Sequence, residues 1–147
     1  YFETTGTPSG FDRNIDGRLV ISLRKFAAGY DHPQLWIADQ SMNSLTQITQ
    51  QSNYCAETAL GHGCSKKYPR WSPDGTKILY TNIGDKSSYT INSDGSNETL
   101  VVETSNAVWS PDGETIAGSL GGAAIFYQNI ITNKGGLLTD STGIDWR

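Results

Sequence analysis

The sequence predicts an all-β chain assembled from repeated four-stranded units, and three observations carry that prediction. The turn motif Trp-Ser-Pro-Asp-Gly occurs twice, at Trp71–Gly75 and at Trp109–Gly113, 38 positions apart. Each copy is followed by short stretches in which apolar or aromatic residues alternate with polar ones, the period of a half-buried strand. The composition agrees: 16 glycines in 147 residues, many Ser, Thr and Asn, and 18% charged residues suit tight turns between short strands and give helix little support.

The elements follow in order. Pro presets φ for the first corner of a type I turn, Asp fits the second, and Gly takes the left-handed position after it, so each Ser-Pro-Asp-Gly reads as a hairpin turn. In the unit that starts near Arg70-Trp71, the second strand is Lys77–Thr81 and the third Ser88–Ile91. The turn Asn92-Ser93-Asp94-Gly95-Ser96 then leads to a fourth strand, Glu98–Val102. The next unit repeats this from Val108-Trp109, and a further copy begins at Asp145-Trp146-Arg147, 37 positions after Trp109. An earlier unit keeps the strand order, with Asp16–Ser22, Gln34–Asp39 and Ser44–Thr49, but opens on Phe11-Asp12-Arg13-Asn14-Ile15-Asp16-Gly17. That opening has neither Trp nor Pro. It predicts a turn of another kind, with Phe11 standing in for the packing ring.

Units of about 38 residues and four strands match the blades of a β-propeller, whose sheets stack radially and bury their faces on one another. The predicted fold is a β-propeller arc of about three four-stranded blades plus one extra strand, a single partial domain over residues 1–147. Blade one spans 10–50, an inserted loop 50–68, blade two 69–104, blade three 105–140, and an orphan strand 143–147. Three blades are too few to close a ring. The expectation is completion by oligomerisation or by a longer parent chain. The first residue is Tyr1, which carries the further expectation that a leader or upstream region has been removed.

The Trp-Ser-Pro-Asp-Gly turn, the strand after it, the aromatic strand Ser88–Ile91 and the second Asp-Gly turn resemble the TolB-like (PD40, WD40-like) propeller repeat. The resemblance covers roughly residues 10 to 147 and is strongest from 69 to 113. It implies a noncatalytic protein-binding or assembly scaffold of the cell envelope or extracellular space, periplasmic or extracellular in location, with a protein partner. Similar repeats also occur in prolyl oligopeptidase-like peptidases and polysaccharide lyases. The alternative is therefore the propeller portion of an enzyme whose catalytic residues lie outside this chain. No partner-contacting residue of the family maps onto the loops of this sequence.

The charge balance narrows the partners. A formal net charge of −4 and a pI near 5.0, with Lys66-Lys67 too sparse to make a basic stripe, argue against nucleic acid. No stretch approaches the roughly 18 apolar residues of a membrane-spanning helix. Trp71, Trp109 and Trp146 recur at one strand position, which assigns them to packing between blades rather than to a stacking platform. Asp16, Asp74, Asp94 and Asp112 each precede a turn Gly, so turn chemistry accounts for them better than acid–base catalysis. Pro73, Gly75, Pro111 and Gly113 complete the structural repeat. No nucleophile elbow, phosphate loop or His-Glu-x-x-His is present, and the sequence points to no catalytic residue and no cofactor.

Blade one is the irregular one. From Asp16 to Asp74 is 58 positions, about 20 more than the later repeat, and the excess falls at residues 24–33 and 50–68. Because antiparallel strands alternate in direction, both insertions emerge on the face opposite the Asp-Gly turns. They hold both histidines. Arg24, Lys25, Tyr30, Asp31, His32, Glu57, His62, Lys66 and Lys67 form the candidate binding surface there, against the reading of ordinary solvated loops. Cys55 and Cys64, in a loop-like stretch with glycines, are expected to form a disulfide. Their Cys-x8-Cys spacing with His62 matches no common zinc pattern, and no metal is predicted.

Overall fold

The computed structural model describes residues 10–24, 32–50, 64–104, 107–120 and 124–138. Among these residues twelve strands form three four-stranded antiparallel sheets, with no helix. The first sheet runs β1 (Phe11–Arg13), β2 (Leu19–Leu23), β3 (Gln34–Ala38), β4 (Leu45–Gln47). The second runs β5 (Lys66–Trp71), β6 (Lys77–Asn82), β7 (Ser87–Asn92), β8 (Thr99–Val102). The third runs β9 (Ala107–Trp109), β10 (Thr115–Leu120), β11 (Ala124–Asn129), β12 (Lys134–Leu138). In each sheet spatial order follows sequence order, the meander of a propeller blade. Sheet one packs on sheet two and sheet two on sheet three, forming an arc that does not close.

One turn chemistry builds all three opening hairpins. The Ser72 amide donates to the Lys77 carbonyl at 2.9 Å, the Gly75 amide to the Ser72 carbonyl at 2.9 Å, and the Lys77 amide to Ser72 Oγ at 2.9 Å. Ser110, Gly113 and Thr115 repeat the set at 2.8 to 2.9 Å. Gly75 and Gly113 take φ of 69° and 73°, where a side chain would be strained. In blade one Asn14 replaces the serine: its Oδ1 accepts from the Arg18 amide at 2.8 Å, and its carbonyl accepts from Gly17 at 3.1 Å. This alignment puts Arg13, not Phe11, at the Trp71 position. Phe11 is 64% exposed, so the expectation that it substitutes for the packing ring is corrected. Two positions before the aligned residue, it sits on the sheet face turned away from blade two.

The principal core lies between blades one and two. Val20, Leu35, Ile37 and Ile48 meet Trp71, Ile78, Tyr80 and Ile91, with Tyr89 at the margin. Trp71 is buried against blade one: its amide donates to Asp12 Oδ2 at 2.8 Å, and the Arg18 guanidinium lies 5.0 Å from its ring centroid. Trp109 occupies the same place one blade on, half-buried, its indole N–H donating to the Arg70 carbonyl at 3.3 Å. Trp146 lies outside the described residues.

The boundary of blade two also differs from the expected one. Its first strand begins at Lys66, so Lys66 and Lys67 are strand residues and not part of the inserted loop. Pro69 disguises this in the sequence, because proline cannot donate to a ladder. The chain absorbs it in an irregularity between Lys67 and Arg70, with Tyr68 in the left-handed region at φ 55°.

Candidate binding surface

The flanks of the two insertions are tied together by one buried amide. Gln34, at the start of β3, is 6% exposed. Its Nε2 donates to the Cys64 carbonyl at 3.3 Å and to the His32 carbonyl at 3.4 Å, and its Oε1 accepts from Thr49 Oγ1 at 2.9 Å. Thr49 Oγ1 in turn accepts from the Leu35 amide at 2.8 Å. The end of the first insertion, the start of the second and the end of the second therefore converge on one side chain. The Lys66 amide adds a bond to the Pro33 carbonyl at 2.8 Å, and Ser22 Oγ donates to the Lys66 carbonyl at 2.5 Å. Neither Gln34 nor Thr49 stood out in the sequence, where a polar residue at each end of a strand pair carries no signal of its own.

Lys66 does not project freely from this face. Its ammonium lies 5.3 Å from the Tyr80 ring centroid and 5.6 Å from that of Tyr89, and the two rings stack with centroids 5.7 Å apart and planes 16° apart. The Tyr80 hydroxyl donates to Glu98 Oε1 and the Tyr89 hydroxyl to Asp85 Oδ2 at 2.7 Å. Burial lowers the Lys66 pKa from its ordinary value, against the opposing pull of Glu98 and Asp85. The phenols move the other way. Burial and then the Glu98 bond push Tyr80 far up, and burial with the Asp85 bond raises Tyr89 to about 12. The cluster brings together an ammonium, two phenols and two exposed carboxylates, all from blade two.

Beside it runs an exposed rim. Tyr68 is 52% exposed, Arg70 is exposed and Lys67 is half-buried, all on β5, the first strand of its blade. Arg70 Nη1 donates to the Phe11 carbonyl at 3.4 Å, a backbone contact, while the Phe11 ring lies on the sheet face turned away from blade two. Tyr68 and Arg70 were not singled out from the sequence. Their placement depends on the irregularity around Pro69, whose position only the folded strand pair reveals.

Of the expected surface residues, Arg24 is exposed at the end of β2 and His32 is buried at 5%. Lys25, Tyr30, Asp31, Glu57 and His62 lie outside the described residues. Cys64 is buried at 6%, and its expected partner Cys55 also lies outside them. The turn carboxylates act locally. Asp74 Oδ1 accepts from Ser72 Oγ and the Thr76 amide, and these bonds hold its carboxyl below the usual range, as the matching bonds do for Asp112. Among the described residues no three of His, Cys, Asp and Glu are grouped as metal ligands would be, and no helix is long and apolar enough to cross a membrane.

No protein-family model matches this sequence, and no curated protein does. Solved structures do match in fold. A chain of the nidogen–laminin complex is 14% identical, with a TM-score of 0.62 over 90% of this chain and 48% of its own length. TolB from Acinetobacter baumannii is 20% identical, with a TM-score of 0.56 over 95% of this chain and 33% of its own. The acylaminoacyl peptidase of Pyrococcus horikoshii is 13% identical, with a TM-score of 0.60 over 93% of this chain and 25% of its own. The chain thus spans a quarter to a half of the length of these proteins. At such identities the likeness is one of architecture: this chain has the fold of part of a β-propeller.

Proposed function

We propose that this chain is a noncatalytic protein-binding or assembly scaffold of the cell envelope or extracellular space, its arc completed to a ring by a second copy or by the rest of a longer chain. The observation that supports this reading is the Gln34 network, which ties together His32, Thr49 and Cys64 at the ends of the two insertions of blade one. A rigid sheet scaffold that gathers its longest loops on one side is how such folds present binding residues. The resemblance to TolB-like repeats supports the location and the protein partner. A disulfide between Cys55 and Cys64 would close the second insertion, and the absence of a free thiol among the described cysteines supports it. The mass change on reduction and alkylation tests that bond.

The test of the scaffold reading is quantitative capture from an envelope extract with residues 24–33 and 50–68 shortened. Loss of specific capture is expected, and unchanged capture defeats the assignment. Light scattering tests ring completion by a second copy, which a well-folded monomer excludes. The likeness to the acylaminoacyl peptidase favours a second reading, the propeller portion of an enzyme with catalytic residues elsewhere. A hydrolase or lyase domain in the same reading frame would decide for it.

A further inference from the structure

We propose that β12, the outer edge of blade three, takes up an extended, uncharged segment of a partner protein as a fifth strand, with a large apolar side chain of that segment entering the groove between blades two and three. This rests on the scaffold reading and narrows it to one mode of binding. Each blade ends on an outer strand whose far side has no neighbouring strand among the described residues. The three edges differ in how they are guarded. β4 is three residues long, and β8 carries a register irregularity between Ser88 and Tyr89. Short strands and irregularities are devices that keep sheet edges from pairing. β12 has neither: all five of its residues pair in unbroken register with β11, from Lys134 opposite Asn129 to Leu138 opposite Ile125. Its one charge is Lys134 at the start, Gly135 and Gly136 put no side chain in the way, and Leu137 and Leu138 are 57% and 47% exposed. Such an edge presents unpaired N–H and C=O groups in the spacing that another extended backbone matches.

The groove supplies an independent argument. It measures about 630 Å³ and is lined by Leu100 and Val102 of β8 and by Phe126, Gly135 and Leu137 of blade three. Trp109, Ile116 and Gln128 are cross-strand partners, and Phe126, two residues from Gln128 and opposite Leu137, shares their face. The Trp109 indole N–H reaches the Arg70 carbonyl, so this face looks onto blade two. The groove therefore lies between two blades that are both in place, and further blades added at either end of the arc would leave it open. Its volume falls within the roughly 300–1,000 Å³ of pockets that take up ligands. Leu137 belongs to both features, its backbone on the free edge and its side chain in the groove wall, so a strand added to β12 would set alternate side chains over the groove. The charges at the site are Glu103 on the groove and Lys134 at the start of β12, one of each sign, which favours a segment without net charge. A second copy fits less well: β12 offers no aromatic side chain, and five residues a side fall well short of the roughly 20–30 of a stable protein interface.

The test uses the whole chain and a fluorescein-labelled peptide, Gly-Thr-Phe-Thr-Phe-Thr-Gly, followed by anisotropy. Two counterparts carry backbone N-methyl groups, one on its Thr residues and the other on its Phe residues. Saturable binding of the parent peptide is expected, and one of the two methylated peptides should bind at least about tenfold more weakly, because only one set of amides can face β12. Leu137→Asp, at an exposed position, should keep the thermal stability of the parent chain and weaken the peptide about tenfold. Thr46→Asp puts the same charge on the exposed β4 edge and should leave binding unchanged. Hydrogen exchange needs no variant: the bound peptide should add protection at β12 and none at β4. The proposal is overturned by no saturable binding, by parent-like binding of both methylated peptides, by indifference to Leu137→Asp, by an equal loss with Thr46→Asp, or by protection at β4 in place of β12. Self-association that Leu137→Asp abolishes would assign the edge to a second copy and overturn it as well. In each case capture through the insertions remains a separate measurement, so the scaffold reading stands or falls on its own experiment.

Discussion

Replacing Gln34 by leucine removes the side chain on which both insertions converge while keeping much of its volume. The replaced amide makes three bonds, one at 2.9 Å from Thr49 and two longer ones, at 3.3 and 3.4 Å, to the Cys64 and His32 carbonyls. The short bond contributes about 1 kcal/mol net, and the long pair together about the same. Leucine recovers part through apolar burial, but it leaves the Thr49 hydroxyl proton without its acceptor at a residue 3% exposed. The expected loss is about 2 kcal/mol. For a chain of this size that lowers the melting temperature by roughly 4 to 8 °C. Urea unfolding gives the free energy, and hydrogen exchange gives the location: the Lys66 amide, bonded to Pro33, and the Ile83 amide, bonded to Ser65, should lose protection first. Gln34→Glu should cost more at neutral pH, because a carboxylate would face two carbonyls, and should recover on acidification as the protonated acid regains a donor. A melting point within about 1 °C of the parent, with Lys66 protection unchanged, would refute the convergence argument. Gln40→Leu, at an exposed turn position, is the control.

The packing tryptophans should differ in weight. Trp71→Ala, in the core between blades one and two, is expected to cost about 3 to 5 kcal/mol, and Trp109→Ala less because it is half-buried; urea unfolding ranks them, and equal costs would contradict the burial difference. Gly95 has φ 86°, and a Cβ there would lie 2.8 Å from the Ile48 carbonyl oxygen across the blade interface. Gly95→Ala should therefore destabilise by more than Gly75→Ala, whose Cβ meets only the Asn14 side chain at 3.3 Å. Asp74 has a folded pKa below its ordinary 3.8, so its contribution is present above that value and is lost as pH falls through the lower folded one. Asp74→Asn should flatten the acid limb of the stability profile, and an identical limb in parent and variant would argue against the Ser72 and Thr76 bonds as its cause.

How much was legible beforehand follows from what each feature depends on. The hairpin turns were readable because Ser, Pro, Asp and Gly act within a few residues of themselves. The 38-residue repeat exposed the blades because identical local chemistry recurs at a fixed interval. The same logic failed in blade one, where Asn14 performs the serine's task with a different atom, and at Pro69, where a local rule suggests a boundary that the β5–β6 pairing overrides.

The sequence alone therefore determined the all-β class, the strand order and the packing role of the recurrent tryptophan position, because all three are written in local periodicity and turn chemistry. Only the tertiary structure decided that Gln34 gathers the ends of both insertions, that Lys66 is held against two stacked tyrosines, and that Tyr68 and Arg70 stand exposed on β5 with Arg70 bonded to the Phe11 carbonyl. Tyr80 lies 14 positions from Lys66, Thr49 and Cys64 lie 15 and 30 from Gln34, and Phe11 lies 59 from Arg70. Such contacts arise from register, burial and the stacking of one sheet on the next, and no local pattern encodes them.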